Sequence, residues 1–80
     1  MKTKEEKAKT LRKDLTLNFI ASPSNIWVLD YGKQLVVVVI IEHYNDMDDV
    51  YTISIQDDGY YCIEADKWFK EEYEILAWFL

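Results

Sequence analysis

Residues 35–41 read Leu35-Val36-Val37-Val38-Val39-Ile40-Ile41, seven apolar side chains without a polar break. A strand with one solvated face would alternate at period two, and an amphipathic helix would repeat at 3.6; this run does neither. It is short and β-branched, so it reads as a strand over about 35–42 with both faces covered, interior to its sheet. At a sheet edge it would be a template for aggregation. Lys33 and Glu42 flank it as charged gatekeepers.

Working outward, Ile26–Tyr31 forms a preceding strand that stops at Gly32, and 43–49 is a polar loop. Val50–Gln56 alternates cleanly, with Tyr51, Ile53 and Ile55 on one face and Thr52, Ser54 and Gln56 on the other. Asp57-Asp58-Gly59 signals a hairpin into a fourth strand at about 60–64. A two-residue Asp58-Gly59 loop sets Ile53 and Ile55 beside Glu64 and Cys62. A three-residue loop sets them beside Ile63 and Tyr61, which keeps one face apolar. The longer loop is the expected register, with Gly59 left-handed at a bulge.

Helices flank the strands. Thr3 and Glu6 fit a capping box, and Ala8, Leu11, Leu15 and Phe19 follow at spacings of three and four. The spacing predicts a helix over about 4–20, ended at Ser22-Pro23. Asp66 is placed to cap a second helix over about 67–79. Its face is built from Trp68, Glu72, Ile75 and Phe79 and from Phe69, Tyr73, Leu76 and Leu80. The expected architecture is therefore α+β: helix, four-stranded antiparallel meander, helix, in a single domain spanning residues 1–80. The covered central strand favours helices on opposite faces, or a dimer that covers what one helix leaves bare.

Composition narrows the function. Half of the residues are hydrophobic, which supplies a core that a chain of 80 residues ordinarily lacks. The formal charge is −6, but it is unevenly spread. The first fourteen residues carry Lys2, Lys4, Lys7, Lys9, Arg12 and Lys13 against Glu5, Glu6 and Asp14. Lys33, Lys67 and Lys70 are the only bases in the remainder, against twelve acids. The body therefore repels nucleic acid and attracts basic surfaces. The single cysteine, Cys62, excludes a disulfide framework. A charged N-terminal stretch without an apolar core, and no apolar run of the roughly 20 residues that span a bilayer, point to a cytoplasmic protein without a membrane partner.

No motif for chemistry is present: no glycine-rich phosphate loop, no Cys/His metal spacing, no nucleophile elbow. Cys62 and His43 are the only residues that could form a nucleophilic pair, and Cys62 reads as a buried structural thiol. Asp46, Asp48 and Asp49 resemble the start of a calcium loop, but Tyr51 stands where such a loop needs glycine. No cofactor, metal or enzymatic activity is expected.

Charge layout is what remains. In a meander, Glu42, Asp46, Asp48, Asp49, Glu64 and Asp66 gather at one end of the sheet. Asp30, Asp57 and Asp58 gather at the other, about 20 Å away at ~3.3 Å per residue. Tyr44 in the loop and Tyr60, expected on the face opposite Ile53, are the aromatic anchors such a surface needs. The candidate partner-binding set is thus Glu42, Tyr44, Asp46, Asp48, Asp49, Tyr60, Glu64 and Asp66. In size, acidity and α+β pattern the chain resembles the small inhibitors that phages and mobile elements use against host defence enzymes, including anti-CRISPR proteins and DNA mimics. The resemblance is compositional and transfers no residue. It implies a protein-binding inhibitor that blocks a basic, nucleic-acid-handling partner in the host cytoplasm. The alternative is an assembly module, a homodimer or a small subunit, that uses its apolar surfaces.

Overall fold

The computed structural model describes residues 2–43 and 47–80. It is an α+β fold in the order α1 (Lys4–Leu17), β1 (Ile26–Asp30), β2 (Leu35–Ile41), β3 (Asp49–Gln56), β4 (Gly59–Cys62), β5 (Lys67–Phe69) and α2 (Glu72–Phe79). A single 3-10 turn, Pro23–Asn25, leads into β1. The five strands form one antiparallel meander, each paired with its neighbours in sequence. No helix among the described residues is long and apolar enough to cross a membrane.

Strand β2 lies between β1 and β3, as its apolar run requires. Ile26, Val37, Ile53 and Cys62 point to one side, with Leu35, Val39, Ile55, Tyr60 and Phe69. Ala8, Leu11 and Leu15 of α1 and Ile75 of α2 complete a single core on that same side. Both helices thus cover one face of the sheet, and the expectation of opposite faces is corrected. The short α2 follows β5 directly back onto the helical side.

Beyond shifts of one or two residues at strand ends, four features differ from expectation, each for a local reason. Helix α1 opens on the Thr3–Glu6 capping box but stops at Leu17 instead of running to residue 20. Phe19 N–H donates to Thr16 O and Ile20 N–H donates to Leu15 O, the paired bonds of a Schellman motif. Phe19 therefore occupies the left-handed position at φ 58° and leaves the apolar stripe altogether, 95% exposed.

The β3–β4 hairpin turns on Asp57-Asp58, so Gln56 pairs with Gly59, Ile55 with Tyr60 and Ile53 with Cys62. This is one residue away from the expected register, and a one-residue slip exchanges the faces of a whole strand. Tyr60 and Cys62 turn inward, while Tyr61 and Ile63 turn outward. Gly59 does not sit at a left-handed bulge. It is glycine because a Cβ there would lie 2.6 Å from the carbonyl oxygen of Phe69.

That close approach belongs to β5, the strand missed by the four-strand reading. Trp68 has helical spacing to Ile75 and Phe79, and Phe69 to Tyr73, Leu76 and Leu80, yet both are aromatic residues suited to a pleated edge, and they pair with Tyr61 and Tyr60. Asp66 consequently caps no helix; it takes φ 50° in the β4–β5 turn. Helix α2 begins at Glu72, where Glu74 Oε1 accepts from the N–H groups of Lys70 at 3.2 Å and Glu71 at 2.9 Å.

Candidate functional site: the uncovered sheet face

With both helices on one side, no helix among the described residues covers the other side of the sheet. Its strand residues are Trp27 and Leu29; Val36, Val38 and Ile40; Val50, Thr52, Ser54 and Gln56; Gly59 and Tyr61; and Trp68. None of these side chains is charged, although 30% of the chain's residues are. Antiparallel sheets commonly turn a polar face to water; this one turns aromatic and β-branched side chains outward.

Register organises them into rows. Leu29, Val36, Ser54, Tyr61 and Trp68 run across all five strands, and Trp27, Val38 and Thr52 run beside them, with Ile63 N–H donating to Thr52 O. The first row is partly sealed by its own polar neighbours. Gln56 Nε2 donates to Ser54 Oγ at 2.7 Å and Gln34 Nε2 at 3.4 Å, which buries Ser54. The second row is open: Trp27 is 45% exposed and Ile63 47%, with Val50 also exposed below. At the β5 edge Trp68 is 59% exposed and packs on the Tyr61 ring at a centroid distance of 5.4 Å.

Acidic side chains border this face at one end. Glu64 curls over Thr52, accepting from its backbone N–H and, at 2.8 Å, from its hydroxyl. It replaces the backbone carbonyl that the β3–β4 ladder lacks beyond Cys62. Asp66 accepts from the Tyr61 hydroxyl, and this bond is the main cause of the raised tyrosine pKa. Glu42 continues the outward alternation of β2 and accepts from Asn25 Nδ2 at 3.0 Å. Asp48 is exposed just before β3.

The predicted acidic end is therefore divided. Glu42, Glu64 and Asp66 border the open face, whereas Asp49 lies on the helical side and meets His43 Nε2 at 2.7 Å. Tyr44 and Asp46 lie outside the described residues. Tyr60 is no surface anchor: it is buried, stacked beneath Lys7 Nζ at 4.6 Å, and burial first, with Glu72 and Glu71 adding, pushes its pKa up to about 12. The exposed aromatics of the open face are Trp27 and Trp68, which the sequence pattern placed in a strand without a site role and on a helix. Correct hairpin register was the signal that placed Tyr61, and the Tyr61–Trp68 pair follows from it.

Cys62 is enclosed in the core, and burial raises its thiol pKa against the lowering effect of the Ala65 and Glu64 backbone, leaving no ready thiolate. Among the described residues no cluster of His, Cys, Asp and Glu is placed to hold a metal ion. What the arrangement offers is a rigid, uncharged aromatic surface with a negative border. No known protein family matches the chain, and no curated protein or solved structure does.

Proposed function

We propose that this chain acts by binding a protein through its open sheet face, and that it occludes a basic surface of that partner. One observation carries the reading: an uncharged aromatic face and a carboxylate border lie on the same side of one rigid sheet. Aromatic centres supply the affinity of protein interfaces, and rim charges supply orientation and association rate. The border of Glu42, Asp48, Glu64 and Asp66 selects a positive partner. Proteins that handle nucleic acids have positive working surfaces, so an occluding ligand of this kind is an inhibitor of such a protein. The assembly-module reading is favoured by the same uncharged face, since subunit contacts exclude charge from their centres. It differs in not needing the acidic border.

Capture from a host lysate separates them. The bait is compared with a Trp68→Lys variant and with a Glu42→Gln, Asp48→Asn, Asp66→Asn variant, which removes three charges but keeps the side-chain shape and one acceptor oxygen at each position. The expected result is capture of nucleic-acid-handling proteins, loss of capture with Trp68→Lys, and release by added duplex nucleic acid. The charge variant is expected to bind with an on-rate severalfold lower and with less salt dependence. Capture indifferent to the charge variant and to nucleic acid leaves the assembly module. Capture indifferent to Trp68→Lys sinks the sheet-face reading itself.

A further inference from the structure

Phe19 is held where an aromatic side chain is unfavourable. Left-handed backbone is unfavourable for an L-residue with a side chain, and the position after a helix is ordinarily glycine for that reason. Phe19 adopts φ 58° and gains no burial in return, being 95% exposed. A strained residue kept at the surface is a reason to look for a role there.

The ring stands between two clefts. One, of about 330 Å³, is floored by Ile20, Ile41, Tyr51, Trp78 and Phe79. The other, of about 500 Å³, runs along Ile20, Ala21, Pro23 and Ile40. Tyr51, Trp78 and Phe79 meet edge to face, with centroid distances of 5.0–5.4 Å, so the first cleft has rigid aromatic walls. Its charged lining is His43 and Asp49, which face each other at 2.7 Å.

We infer that Phe19 is the knob of a twofold contact between two copies of this chain, each ring entering the aromatic cleft of the other. Three features select a second copy as the occupant. Knob and cleft adjoin on one surface, which an isologous interface requires, since each side must supply both. The Asp49 carboxylate in the aromatic cleft is engaged by His43 Nε2 at 2.7 Å, so it does not meet a second acidic copy unpartnered. The clefts and the neighbouring exposed Leu17 also extend the surface toward the ~800 Å² per partner that a stable interface needs. The aromatic cleft lies on the helical side, while the second cleft reaches Ile40 and Glu42 at the margin of the open face; the inference does not rest on the sheet-face reading.

Sedimentation equilibrium at tens of micromolar tests it, with Phe19→Ala and Phe19→Gly as the variants. The parent is expected at twice the 9.6 kDa of the chain, and both variants at that mass. Phe19→Gly also relieves the backbone. At concentrations too low for association it is expected to melt about 4–8 °C above Phe19→Ala, the shift that ~1 kcal/mol gives a domain of this size. A parent that stays monomeric at 100 µM overturns the inference and leaves the knob to a different protein. A dimer that survives both variants overturns it as well; dissociation by Trp68→Lys would then place the contact on the sheet.

Discussion

Glu72 shows how a single residue can depart from the pattern around it. It occupies an apolar row of α2, half-buried, with Oε1 enclosed and without a hydrogen-bond partner. Burial first, and then the neighbouring Asp14 carboxylate of α1, push its pKa from 4.5 up to about 7, with Lys2 opposing. The folded state therefore holds a proton that the unfolded chain releases. Glu72's contribution is fully present below about pH 4.5 and is lost as the pH rises through about 7. Thermal melts from pH 5 to 8 should show the parent losing stability across that window. Glu72→Gln, neutral throughout, should flatten the decline and melt above the parent at pH 8. Parallel melting curves for the two proteins would show that Glu72 ionises without cost. Gly59 makes the complementary point about space. Gly59→Ala drives a methyl against the Phe69 carbonyl and is expected to cost about 1–3 kcal/mol, read as a lower urea midpoint.

Among the elements, β2 was the most legible, because seven consecutive apolar residues admit few placements. Its two faces nevertheless differ. Val37 is fully buried under α1, whereas Val38 is half-buried on the open face. Val37→Lys should unfold the domain, since an unpaired buried charge costs several kcal/mol out of about 4–12 for 80 residues. Val38→Lys should fold and instead abolish partner capture. Equal melting of Val37→Lys and the parent would contradict the register of β2 on β3. Helix α1 was legible at its capping box and in Ala8, Leu11 and Leu15, but its end was not. The Schellman turn uses Phe19, where sequence rules look for glycine. Strand β5 was hidden because Trp68 and Phe69 satisfy helical and strand spacing equally, and only pairing with β4 decides between them. Of the candidate site, the convergence of Glu42, Glu64 and Asp66 followed from the meander alone. Tyr60 was misplaced by the hairpin register: a three-residue loop was preferred over Asp58-Gly59 because it keeps one face apolar, and the turn formed is a two-residue loop one position earlier, at Asp57-Asp58.

Across the whole molecule, 39 × 23 × 23 Å in extent, charge and structure are divided between the same two parts. The basic stretch is α1, and several of its cations serve the chain's own fold. Lys7 Nζ donates to Gln56 O at 2.6 Å, Arg12 donates to Pro23 O at 3.0 Å, and Lys4 lies 3.6 Å from Asp57. After α1, twelve acids stand against three bases, most of them in the turns and loops, and only one sheet face is free of charge among its strand residues. The meander has a kinetic consequence. Every strand pairs with a neighbour in sequence, so the sheet can zip by successive short loop closures of low entropy cost. Lys7, by contrast, reaches across 49 residues to Gln56, so α1 docks on a sheet already formed. Strand substitutions such as Ile53→Val should therefore slow folding, while Leu11→Ala in α1 should mainly speed unfolding, the two limbs of a chevron plot separating the cases. A nascent chain in which the sheet precedes its helix displays both sheet faces to the cell, so the last event of folding is also the one that halves its exposure to misassembly.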